Sequence, residues 1–288
     1  MLAIDIYINE TTQHADIILP PATGLEVSHY DLTFHVLAVR NTAKYSEALF
    51  SKAEGAKYDW EIYQELAFRM NQSPESNTTE IPFEAPEVKL DMGLQFGPYH
   101  ISLQQLKDNP HGIDLGALKP CLPNRLLTAD KRINIAPELL VNDIERLRKS
   151  LENNELQKEF EYLLIGRRHL RDNNSWMHNS ERLVKGRNRC TLMIHSEDAK
   201  TLNLENQTIV KVSSRVGSIE IPVEITDHMM RGVVSMPHGY GHARKGVQLD
   251  VASRYAGVSI NDLTDEYVLD QLTGNAAFNN VAVKVEKI

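Results

Sequence analysis

Between Leu163 and Ser180 the chain reads LLIGRRHLRDNNSWMHNS. An apolar run stops at Gly166 and gives way to hydrogen-bond donors: three arginines, two histidines, three asparagines, two serines and the indole of Trp176. Core strands do not have this composition, and surface loops so rich in Arg and Asn usually carry Lys or Glu as well. Guanidinium forks match phosphate oxygens, and a backbone can approach a ligand closely at glycine. A strand that ends in glycine and delivers such a loop can hold a polyanionic or heterocycle-rich ligand. The plain alternative is a solvated surface loop. Histidines at 169, 178, 195, 238 and 242 invite a metal reading. Only His238 and His242 stand at i, i+4 spacing, and Gly239 and Gly241 argue against a helix there, so zinc on protein ligands is not expected. No Gly-x-Ser-x-Gly elbow is present, which argues against a serine hydrolase.

The elements that must carry this loop are short. From residue 160 onward strands are predicted over Cys190–His195, Thr208–Ser214, Ile219–Ile225, Arg231–Pro237 and Val281–Val285, with a small helix from Ser196 as its cap. Ile219–Ile225 alternates apolar and polar residues with period two, the mark of a half-buried strand. Many short strands with small helices between them point to a closed barrel. Earlier in the chain, strands are predicted over 2–8 and Ile17–Leu19, with a third over Val36–Ala38. Glu10-Thr11 stands near a cap, and a helix over Trp60–Met70 has Asp59 as its cap and an aromatic face in the core. Residues 71–137 read as a connector with little regular structure, apart from a short helix over Ile101–Lys107. An amphipathic helix follows from Pro137 to Leu151, with acids early and bases late. A domain boundary is expected near residue 155.

Composition sets limits. The 288 residues are 42% hydrophobic and 24% charged, a normal globular balance. The net charge of −8 argues against nucleic-acid binding by charge. No apolar run is long enough for a membrane span, and the N-terminus does not have the pattern of a signal peptide. Cys121 and Cys190 are the only cysteines, too few for a four-thiolate cluster. Both read as buried or half-buried free thiols in a reducing compartment, so a cytoplasmic location is expected.

The order of these pieces resembles the C-terminal part of molybdopterin oxidoreductases of the dimethyl-sulfoxide-reductase type, which include formate dehydrogenases. Four features carry the likeness. Gly166-Arg167 ends a strand and is followed by His178-Asn179-Ser180. His195-Ser196-Glu197-Asp198-Ala199 leads through Val210–Ser214 to Gly217, similar to the family's P-x-D-A…V-x-V-x-S-x-x-G, with Asn206-Gln207 where Gly-Asp is common. Gly232-Val233-Val234 leads to Pro237-His238-Gly239-Tyr240-Gly241-His242. Val258–Thr264 precedes Asp270–Phe278. The N-terminal Glu10-Thr11-Thr12…Ala15-Asp16-Ile17-Ile18-Leu19-Pro20…Glu26 is similar to a segment of the family's α/β domain. Val27–Asp31 replaces the family's N-x-E-G-R there, which removes the basis for carrying over contacts of that stretch.

The resemblance implies a mixed α+β fold. Residues 1–75 would be the remnant of an α/β domain and residues 76–155 a connector with short helices. Residues 156–288 would form a double-psi β-barrel of the aspartate-decarboxylase-like kind. It implies that the barrel binds molybdopterin guanine dinucleotide, through which molybdenum or tungsten is held. The resembled enzymes supply the metal's protein ligand, and often an iron–sulfur cluster, from an N-terminal half with no counterpart here. The chain therefore reads as a fragment or separate subunit that would not turn over substrate alone. Its expected partner is that missing half, docked on an apolar face that would otherwise favour self-association. By position, Gly166 would allow close approach, and Arg167 and Arg168 would meet phosphate or pterin, with a carboxylate pair as the alternative. His169, His178, Asn179 and Ser180 would line the pterin side, and Trp176 would pack across it or in the core. His238 and Gly239 would meet the cofactor from a barrel loop, or form a plain turn. Asn261 and Asp262 would contact it, cap a short helix, or both. Asn275 is preferred to Asn279 because Gly274 precedes it. His242 is expected to be more exposed. Two other readings stay open: a non-catalytic barrel module that carries the cofactor, and a self-processing decarboxylase-like barrel. The latter is disfavoured because Gly217-Ser218 lies in a plain hairpin.

Overall fold

The protein is described by a computed structural model covering residues 1–72, 83–152 and 161–288. The boundary expected near 155, and most of the loop expected over 71–86, lie outside the described residues. The chain forms two compact units. Met1–Tyr7 and His14–Ile133 make the first; Ile8–Gln13 and Asn134–Ile288 make the second.

In the first unit, β1 (Leu2–Ile4) pairs in parallel with β2 (Ile17–Leu19). The strand expected over 2–8 is shorter because Asp5 folds back to accept from the Tyr7 N–H at 3.0 Å. The antiparallel pairs are β3 (His29–Tyr30) with β5 (Tyr45–Ser46), and β4 (Arg40–Ala43) with β6 (Ile113–Ala117). Phe34–Leu37 is a 3₁₀ turn where a strand was expected, because Asp31 accepts from the N–H groups of Thr33 and Phe34 and opens a helical turn. Three helices follow: α1 (Asp59–Asn71), α2 (Pro86–Phe96) and α3 (Leu103–Lys107). α1 starts one residue earlier than expected, with Tyr58 as its cap residue and Glu61 accepting from the Tyr58 N–H at 2.7 Å. Its aromatic face is not all core: Ile62 is buried and Tyr63 is exposed. α2 lies in the stretch expected to have little regular structure. Pro86 opens it at a position where a missing N–H costs nothing. Ala43, Tyr45, Leu103 and Leu106 form the buried centre, with Leu90, Leu94 and Ile113 packed against it.

The second unit begins with Ile8–Gln13, where Asn9 rather than Glu10-Thr11 caps the turn, its side chain accepting from the N–H groups of Thr11 and Thr12. The helix α4 (Glu138–Glu152) matches expectation, and the Pro137 carbonyl accepts its first N–H groups. Six strands then close into a barrel: β7 (Tyr162–Arg167), β8 (Leu192–Ile194), β9 (Ile209–Ser213), β10 (Ser218–Ile225), β11 (Val233–Pro237) and β12 (Val281–Lys287). Around the wall the order is β10, β8, β11, β7, β12, β9. Alternate residues point inward, among them Leu164, Ile194, Val210, Val212, Ile221, Val223, Val234 and Val283, all fully buried. Each contributes about 1.5–3 kcal/mol by burial. The helix Ser196–Thr201 is capped by His195, not Ser196: the His195 ring accepts from the Glu197 N–H at 3.0 Å. Cys190 is buried as expected, and Cys121 is exposed.

Register decides where the loops emerge. β7 and β11 are parallel, so Arg167 and Pro237 end side by side. β8 runs antiparallel to β11, so its entry through Arg189–Thr191 comes to the same end. β12 is antiparallel to β7, which brings the approach to Val281 there too. The β9–β10 hairpin turn joins them, because Ser213 pairs with Ser218 and with Lys284.

Candidate functional site

Loops at this one end of the barrel hold most of the residues singled out in the sequence. The strand end is fixed first. The Gly166 N–H donates to Asn279 Oδ1 at 2.8 Å, so Asn279, not Asn275, is the asparagine at the glycine. A Cβ placed on Gly166 would meet Asn279 and Ile260 at 3.6 and 3.7 Å, ordinary contact distances. Internal packing therefore does not demand glycine here, and the exposed backbone leaves room for a ligand.

Arg167 and Arg168 part company. Arg167 turns into the protein and donates to the carbonyls of Ser235, Arg189 and Thr191, at 2.5, 3.2 and 2.8 Å, and to Thr191 Oγ1 at 2.9 Å. It ties β7 and β11 to the residues that lead into β8. Arg168 is exposed and donates to the Asn174 side chain.

The loop that follows is pinned by a buried carboxylate. Asp172 is 2% exposed. Arg189 donates to its Oδ1 at 2.6 and 3.2 Å, and the Tyr240 hydroxyl donates to Oδ2 at 3.1 Å. Burial works to raise the Asp172 carboxyl, but the hydrogen bond and charge of Arg189 win and hold it below the usual range. Burial, with the Asp172 charge beside it, pushes the Tyr240 phenol up to about 12. His178 is buried against the Tyr240 ring and makes a 2.8 Å hydrogen bond to His242. His242 is itself 3% exposed, contrary to expectation, because Glu10 reaches its other nitrogen at 2.7 Å.

The remaining residues divide by role. Asn179 Oδ1 accepts from the N–H groups of Val251 and Ala252 and so caps the helix Asp250–Arg254. Ser180 is the cap residue of Glu181–Val184. His169 is half-buried and its ring accepts from the Arg171 N–H. Trp176 is 80% exposed, so core packing does not explain its indole. His238 is half-buried, with its Nε2 shielded from solvent and unpartnered among the described residues. Burial, then the charge of Arg168, pushes its imidazolium down, which leaves a neutral ring. Gly239 lies at φ 89°, and a Cβ there would fall on the Asn174 carbonyl, so the two loops meet backbone to backbone. Ser259 caps the turn that holds Asn261 and Asp262; both are exposed, and Asp262 pairs with Arg244. Asn275 sits apart in the turn Asp270–Asn275, bonded to Thr273 and Asp270.

What faces outward at this end is therefore Arg168, Trp176 and the Gly166 backbone, with the neutral His238 ring half-buried. Together they offer a cation, a planar apolar face and directional hydrogen-bonding groups. That set fits a flat heterocycle carrying phosphates.

Residues 162–282 match the family model of the molydopterin dinucleotide binding domain. The chain is 26% identical over 291 residues to the F420-dependent formate dehydrogenase subunit alpha of Methanocaldococcus jannaschii, covering 99% of this chain and 38% of that protein. It is 27% identical over 256 residues to the F420-dependent formate dehydrogenase 1 subunit alpha of Methanococcus maripaludis, covering 86% and 35%. The chain thus spans under two fifths of the length of these relatives. The acetylene hydratase from Pelobacter acetylenicus shares the fold across the whole chain and 40% of its own, with a TM-score of 0.71 and 17% identity. The match to the molydopterin dinucleotide binding domain covers all but the last residues of the barrel.

Proposed function

We propose that the chain is the cofactor-holding part of a molybdenum- or tungsten-dependent oxidoreductase, and that the pterin dinucleotide, in its guanine form, lies across the Gly166–Ser180 loop. The observation that carries this is the family match of the barrel together with the outward-facing Arg168 and Trp176 near the joined ends of β7 and β11. Arg168 would take a phosphate or a pterin oxygen. The Trp176 indole would lie on the planar ring, and the exposed Gly166 backbone would let the ligand approach closely. Arg167 and the Asp172–Arg189 pair would act one layer below, holding the loop in place so that little ordering remains to be done on binding. When bound, the cofactor would bring a metal centre for electron transfer.

A formate dehydrogenase and a hydratase share this fold, by their names, so the fold does not choose the reaction. The metal's protein ligand, any iron–sulfur cluster and the substrate contacts would belong to a further part, in the same chain or another. Leu139, Leu140 and Ile144 are exposed along α4 and support the reading that such a part docks; two copies of this chain would meet there without it. A second reading is a barrel subunit that carries the cofactor without catalysis.

Cofactor released from a molybdopterin enzyme, followed by pterin fluorescence in equilibrium dialysis, tests this. Arg168→Ala and Trp176→Ala should each weaken binding about tenfold, near 1.4 kcal/mol, and Asn275→Ala should leave it unchanged. Binding that ignores both of the first two substitutions would sink the assignment.

A further inference from the structure

Four side chains stand in a row beneath the loop: Asp172, His178, His242 and Glu10. Three gaps separate them, 3.6 Å from Asp172 Oδ1 to His178 Nε2, 2.8 Å from His178 Nδ1 to His242 Nε2, and 2.7 Å from His242 Nδ1 to Glu10 Oε1. Each gap needs a proton to become a hydrogen bond, and two neutral imidazoles carry only two. With both rings neutral, the distances place these two protons. A 2.7 Å approach to a carboxylate requires N–H on His242 Nδ1, which makes its Nε2 an acceptor. His178 must then donate from Nδ1, and its Nε2 is left as a bare lone pair. That atom is buried, finds no partner among the described residues and faces a carboxylate across the widest gap. The row is one proton short.

We propose that this row is a proton-binding site, which takes up one proton at His178 Nε2 as the pH falls and thereby closes His178 onto Asp172. The proton comes from bulk water, one N–H bond forms, and no electron moves. Asp172 and Glu10 carry two negative charges against the single positive charge of Arg189, so the added proton brings the cluster to neutrality. Tyr240 already donates to Asp172, His169 stands 3.8 Å from it, and Ser253 donates to the His242 carbonyl. Burial disfavours the imidazolium and Asp172 favours it, with burial the larger effect. Uptake therefore occurs below the ordinary imidazole range of about 6.5. Because His178 and Asp172 bracket the loop that carries Trp176, the proton adjusts the outward face from below.

Nitrogen NMR of the imidazole rings in the full chain reads this without any cofactor, so it stands or falls separately from the cofactor assignment. Above about pH 8, both His178 and His242 should carry the proton on Nδ1, the less common tautomer. On acidification His178 should become doubly protonated in one step. An amide at either end supplies the missing donor. Glu10→Gln should reverse both rings to the Nε2–H form, because its N–H now donates to His242 Nδ1. Asp172→Asn should keep both on Nδ1. Either substitution should move the protonation step down by at least about one pH unit, a tenfold loss of proton affinity. An Nε2–H tautomer on either ring of the unmodified chain at high pH overturns the proposal. So does a Glu10→Gln chain that titrates as the unmodified one does.

Discussion

Asp172 is the residue on which the loop depends, and its energetics can be checked directly. Its side chain is 3% exposed and that of its partner Arg189 is 10% exposed. Removing the carboxylate leaves a guanidinium buried without its counter-charge, which typically costs about 3–5 kcal/mol. Asp172→Ala should therefore lower the denaturant midpoint well beyond the spread of surface substitutions. The pH dependence has a definite sign. A carboxyl held below its unfolded value contributes stability above about pH 3.9 and loses it as the pH falls through the folded value. The unmodified chain should show that acid limb, and Asp172→Ala should flatten it in unfolding curves taken at several pH values. The sequence makes the Gly166–Ser180 stretch conspicuous because donor density is a local property. The duties of Arg167 are not readable there. Gly166-Arg167-Arg168 offers two adjacent guanidinium groups, and only the fold shows that carbonyls from Arg189, Thr191 and Ser235 converge on the first. His242 was misplaced for the same reason: the carboxylate that buries it comes from Glu10, 232 positions away.

At the scale of elements, the barrel is the legible part. Period-two alternation of Ile and Val over β9, β10 and β12 reports a wall with one face inside, and nothing tertiary has to override it. α2 was missed because its local signals are weak: a mean sequence pattern with little amphipathic contrast behind a single Pro at its start. Loop-to-loop packing at the barrel end is intermediate, since Gly239 was marked as a site residue but its contact was not foreseen. That contact yields a paired prediction. Gly239→Ala must both adopt φ 89° and displace the Asn174 carbonyl. Gly274 sits at φ 72° with nothing near the position of a Cβ. Gly274→Ala should cost only the left-handed backbone penalty, about 1–2 kcal/mol. Gly239→Ala should cost clearly more and loosen the 169–180 loop, seen as faster amide exchange at Asp172, Met177 and His178 than in the Gly274 variant.

The whole molecule is divided in a way that neither composition nor motif order announces. Ile8–Gln13 precedes most of the first unit in sequence but belongs with the second. There the Ile8 carbonyl accepts from the Gln248 N–H at 2.8 Å, and Glu10 accepts from His242 at 2.7 Å. In the sequence the Glu10 segment reads as a cap and as part of an N-terminal motif, because a pairing over such a separation leaves no trace in local pattern. Its consequence is that the second unit is not a simple C-terminal piece. A chain cut to residues 134–288 keeps every barrel strand and the Asp172–Arg189–Tyr240 cluster. It loses the acceptor on His242 Nδ1 and the partner of the Gln248 N–H. Losing a hydrogen bond to a charged group costs about 1.5–3 kcal/mol, and a neutral one about 1 kcal/mol. The shortened chain should therefore fold with the same strand signature in circular dichroism but melt several degrees lower than the barrel transition of the full chain. Adding back a peptide of residues 1–16 should recover part of the difference, and the same peptide with Glu10→Ala should recover less. Equal melting of cut and full chains would show that the segment does not hold the barrel end together.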